Sequence, residues 1–272
     1  MHSLKKYVCL AIVSFLLPGY VFSQKKPLGD SSKKEIKNPK KDVVKKSKFP
    51  PKANPKEARE MLSLFKKRIS KAKKLPQVRI ELIKSLVEKS HKSFVKALIK
   101  VAQKDKSKLV RAEAYRALGK LDYRESRKAL YKALKKTSLI NEPLILFGIF
   151  DALENIGYRS YFFEPLSDIF ESAWETKKPA EIQKRIINIF GKAKEKKAFR
   201  LLVNHLDEPI PKNVDDPSNP PASWWEKRWK AWDIWKKDVK KALISITGVE
   251  FDRASFYKKW AKKVGRKFGI KY

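Results

Sequence analysis

The chain has 272 residues and a formal net charge of +36, from 65 lysines and arginines against 29 acids. Apolar residues make up 42% of it, enough to build a substantial core, so disorder throughout is excluded. The charge surplus points to acidic partners: acidic glycan, anionic lipid or nucleic acid.

At the N-terminus, Lys5 and Lys6 precede the apolar run Tyr7–Leu17, Pro18-Gly19 breaks it, and Val21-Phe22-Ser23 ends it. This pattern predicts a signal peptide over 1–23 with cleavage near Ser23, and hence an exported protein, periplasmic or extracellular. The run is short for a membrane span. Cys9, the single cysteine, would leave with the peptide, so no disulfide or thiolate metal site is expected in the mature chain. Residues 24–53 alternate lysine pairs with prolines and carry few large apolar side chains. They are expected to be a disordered Lys/Pro-rich linker, because burial there cannot offset backbone entropy.

Ordered structure is expected to begin at Asn54-Pro55-Lys56-Glu57, which has the residues of a helix N-cap, a proline at the first helical position and a Glu placed for a capping box. From there to 207 the apolar residues recur at three- and four-residue steps and no strand-like alternation competes. Leu86, Leu118, Leu153 and Phe190 occupy equivalent places, 32, 35 and 37 residues apart, and each is followed within about six residues by Lys92, Arg124, Arg159 or Lys196. A period of this size is that of a helical solenoid. The expected fold is all-α: an α-solenoid of stacked antiparallel helix pairs.

Leu98 to Leu121, and within it Asp105 and the Val110-Arg111 pair, resembles HEAT repeats, an armadillo-type fold. The resemblance extends over about Pro55 to Gly248. It implies that Asp105 and Arg111 belong to a polar ladder between repeats. Val78-Arg79 keeps the arginine half, with Lys73 in place of the acid. The resemblance also implies protein–protein interaction and is nearly silent on which partner.

Residues 208–222 form an acidic, proline-rich loop whose carboxylates raise a Ca²⁺ site as a possibility without the spacing of a calcium loop. The segment 223–264 is expected to hold Trp-rich capping helices, followed by a basic tail at 265–272. Trp225, Trp229 and Trp232 fall at i, i+4 and i+7. Together with Trp235 they read either as core or as an aromatic binding face, with Lys227, Arg228, Lys230 and Lys236 as flanking polyanion contacts.

Catalytic machinery is not legible. His91 and His205 lack metal-ligand spacing, nine glycines supply no phosphate loop, and no metal, cofactor or small-molecule substrate is indicated. The sequence is therefore read as a non-enzymatic scaffold binding a protein partner, polyanions, or both. Two alternatives are a glycan or cell-envelope module using the tryptophans, and a HEAT-like DNA glycosylase using Trp232, Asp233 and Arg228. The signal peptide speaks against the latter.

Overall fold

The computed structural model describes residues 49–136, 141–175, 180–211, 213 and 216–270. The expected signal peptide, residues 24–48 of the expected linker, Asp215 of the acidic loop and the last two residues of the basic tail lie outside them.

Among the described residues there are eleven α-helices and no strand. They are α1 (Pro55–Lys71), α2 (Pro76–Leu86), α3 (Lys92–Lys104), α4 (Lys108–Lys120), α5 (Arg124–Leu134), α6 (Pro143–Ile156), α7 (Phe163–Glu175), α8 (Ala180–Ala193), α9 (Ala198–Asn204), α10 (Ala222–Thr247) and α11 (Ala254–Val264). Consecutive helices pack as hairpins. The odd-numbered helices form one layer, each against the next odd helix, and the even-numbered ones through α10 form the other. The recurring apolar positions of the sequence lie in the even layer, where Leu86, Leu118, Leu153 and Phe190 are all buried.

Local chemistry sets the helix limits. The Asn54 side chain accepts the Glu57 backbone N–H at 2.9 Å, satisfying one of the orphan donors of α1. The Glu57 carboxylate does not close a capping box; it pairs instead with Lys89, beyond the end of α2. His91 caps α3, its Nδ1 accepting the Ser93 N–H at 3.2 Å. Gly157 and Gly248 end α6 and α10 at φ values of 82° and 75°, the left-handed region that glycine enters without steric cost.

Residues 51–53 depart from the expected disordered linker. Ser90 donates its N–H to Pro51 O at 2.7 Å and accepts the Ala53 N–H at 3.0 Å, and Ala53 is buried. This short run is held by backbone bonds that its composition does not reveal.

Two interfaces in the even layer are unusually close. A Cβ on Gly119 would lie 2.4 Å from Ala152 Cα, and one on Gly148 would lie 2.6 Å from Ala112 O, so α4 and α6 meet backbone to backbone. Gly191 meets Ala242 in the same way between α8 and α10, where Ser245 also donates to Gly191 O at 2.9 Å. Between α6 and α8 there is no such glycine contact. A cleft of about 250 Å³ lies there, lined by Leu153, Glu154, Gly157, Tyr158, Ile189, Lys192 and Ala193.

Candidate functional site

The even layer carries two rows of polar contacts between repeats. The first runs along the helix starts. Arg79, the fourth residue of α2, pairs with Asp105 at 3.2 Å, both side chains nearly buried, and also donates to Lys73 O at 2.8 Å. Arg111, the fourth residue of α4, pairs with Glu142 at 3.0 Å and donates to Ala102 O at 3.1 Å. Asp105 and Arg111 thus each reach into a neighbouring repeat, in opposite directions. Asp105 also accepts the Ser107 N–H at 2.8 Å. Glu142, just before α6, supplies an acid that sequence reasoning missed, because it is neither an Asp nor at the same offset from the helix as Asp105.

Gln183 is the fourth residue of α8 and continues this row with neutral groups. Its amide donates to Phe170 O at 3.4 Å, and its oxygen accepts the Trp235 indole N–H at 3.2 Å. Both residues are buried, where a neutral amide–indole bond avoids the desolvation cost of an ion pair.

The second row lies on the outer face of α4, α6 and α8. Asp151 is held between Arg116 at 2.8 Å and Arg185 at 2.6 Å. Arg116 also pairs with Glu113 at 3.2 Å, Arg185 with Glu154 at 3.6 Å, and Glu154 with Lys192 at 3.3 Å. Partial burial works against the Asp151 charge, but hydrogen bonds and attraction from both arginines outweigh it and hold the carboxyl below its ordinary range. This row borders the α6–α8 cleft through Glu154 and Lys192. In the wall of the cleft, burial first and then the Glu195 charge push the Tyr158 phenol up, so it remains a neutral hydroxyl.

The tryptophans do not act as a set. Trp235 is fully buried, edge-on to His205 and 6.0 Å from Phe170. The buried stripe of α10 runs through Arg228, Trp235, Val239, Leu243 and Ile246, not through the face shared by Trp225 and Trp229. Trp232 is half-buried and donates to Leu206 O at 3.3 Å, while the more exposed Trp229 donates to Pro209 O at 2.7 Å. These two indoles pin the segment after α9. Trp224 and Trp225 meet edge to face at 4.6 Å.

The expected cationic flank also divides. Arg228 is buried with its guanidinium 3.6 Å from the Trp224 ring centre, which corrects the expectation of a surface contact: the side chain turns inward and stacks. Lys236 lies 4.6 Å over Trp232 and pairs with Asp233, whereas Lys227 and Lys230 are exposed. Arg228 is buried, Trp232 half-buried and Asp233 exposed, so these neighbours on α10 do not open onto one common groove.

His205 follows α9 and is largely buried, its Nδ1 donating to Leu201 O at 2.8 Å. Burial lowers its pKa and favours the neutral ring. Just before the acidic loop, Asp207 accepts the Ala254 N–H at 2.9 Å at the start of α11, and within the loop Asp216 accepts from Ser218. Among the described residues no cluster of three potential metal ligands occurs.

Residues 65–140, spanning the end of α1 through α5, match the model of a family described as HEAT repeats. With the paired helices, this makes the protein HEAT-like, and HEAT repeats suggest a helical-repeat scaffold for protein interaction. Comparisons with curated proteins and with solved structures gave no match.

Proposed function

We propose that this chain is an exported, non-enzymatic scaffold whose even-helix face, α4 to α8, receives a protein partner, with the basic surface adding affinity for polyanions. The observation that carries this reading is the Asp151 bridge. It ties together charged side chains from three successive repeats beside an open cleft, a chemically specific surface of the kind that gives register to a partner. The +36 charge supports the polyanion part, through release of counterions and long-range attraction. The N-terminal pattern supports export.

A photo-crosslinking residue at Asn155 or Asn188, on the α6–α8 face, is expected to capture one partner reproducibly, and the same residue at Lys132 on α5 is not. Equal capture from both positions overturns the docking face. Sequencing the N-terminus of the protein from cell fractions is expected to give a chain beginning at Gln24 outside the cytoplasm. A cytoplasmic chain that retains Met1 overturns export.

A further inference from the structure

The repeat places a basic residue shortly after each even helix: Lys92, Arg124, Arg159 and Lys196. The two middle members line one cleft. Arg124, Arg127, Lys128 and Tyr131 stand at i, i+3, i+4 and i+7 on α5 and so share a face. Arg159 and Tyr161 face them from the link between α6 and α7, and the open cleft between them measures about 490 Å³.

We propose that this cleft binds a tetrahedral oxyanion, phosphate or sulfate, esterified to a sugar ring. Three of its four cations are arginines, in a chain with only 13 arginines among its 65 basic residues. Arginine offers a planar fork of donors matched to such an oxyanion, where lysine gives only a point charge. Among the described residues no carboxylate lies within ion-pair distance of Arg124, Lys128 or Arg159. Glu125, whose charge Arg124 feels, is taken by Lys92 at 3.0 Å. Arg127 pairs with Asp122, and its buried Nε finds no acceptor.

The aromatic wall argues for a ring beside the anion. Tyr131 and Tyr161 meet nearly perpendicular at 5.8 Å, Tyr161 is 46% exposed, and Lys135 lies 5.4 Å from the Tyr131 ring centre. An exposed tyrosine next to a cationic pocket can cover the C–H face of a pyranose while its hydroxyl stays wet. The inference is independent of the protein partner proposed above, since the cleft is built by α5 and the α6–α7 link.

Calorimetric titration of the full chain at two salt concentrations tests it, with glucose 6-phosphate, glucose 6-sulfate, inorganic phosphate and glucose as probes. The two esters are expected to saturate one site, and their ranking identifies which oxyanion the cleft prefers. Arg124→Gln with Arg159→Gln weakens both by about tenfold or more, while Lys258→Gln with Lys262→Gln on α11 leaves them unchanged. Tyr161→Ala weakens the esters and spares inorganic phosphate. All these positions are exposed or at the rim, and unchanged circular dichroism confirms the fold of each variant. Equal weakening by the α11 pair, equal binding of glucose, or no saturable binding of either ester overturns the proposal.

Discussion

The indole N–H of Trp235 donates to the side-chain oxygen of Gln183 across 3.2 Å, joining α10 to α8 inside the core. Fifty-two positions separate the two residues, so this bond exists only once the last hairpin has docked on the one before it.

This contact divides the tryptophans by stability. Trp235→Ala removes a fully buried ring and leaves the Gln183 oxygen without its indole donor, so a loss of about 3–5 kcal/mol is expected. Trp229→Ala, at a 38% exposed position, is expected to cost less than about 1.5 kcal/mol. Urea unfolding followed by far-UV circular dichroism compares them. Similar losses from the two substitutions would show that the segment pinned by Trp229 is as integral to the core as Trp235.

The Asp151 bridge should be visible in acid. Its carboxyl is held below its ordinary range in the folded state, so its contribution is complete above the unfolded-state value of about 3.9. That contribution is lost as pH falls through the lower folded value. Asp151→Asn leaves Arg116 and Arg185 facing each other without the charge between them. With the site about one-third exposed, solvent screening limits the cost at pH 7 to about 1 kcal/mol. Urea midpoints of wild type and variant are expected to differ at pH 7 and to converge below pH 4. A constant difference down to pH 2 would contradict the bridge.

Close packing of α4 on α6 makes Gly119 a steric requirement. Alanine is the better helix former by about 1 kcal/mol, yet a Cβ here meets Ala152 Cα at 2.4 Å and must push the backbones apart. Gly119→Ala is expected to destabilise by about 1–3 kcal/mol, measured as a fall in Tm. An unchanged or raised Tm would mean that the two helices separate at little cost.

Much of the architecture was legible because a helix reports itself locally. Apolar residues at three- and four-residue steps define the buried stripe, and the recurrence of Leu86, Leu118 and Leu153 gives the repeat. The ladder partners were not legible in the same way. Asp105 and Arg111 belong to different pairs because the side chains reach the adjacent repeat, whose phase varies with the length of the connecting turn. Glu142 enters for that reason, and Gln183 takes the same helical position with a neutral group.

The sequence by itself determined helices, their pairing in chain order and the excess of positive charge, since each depends on residue type and short-range spacing. Only the tertiary structure decided which charges and aromatics remain available. Arg228 and Trp235 turn inward while Trp229 stays at the rim, and Arg124 and Arg159 come together across a cleft, because exposure and pairing depend on which helix packs against which face.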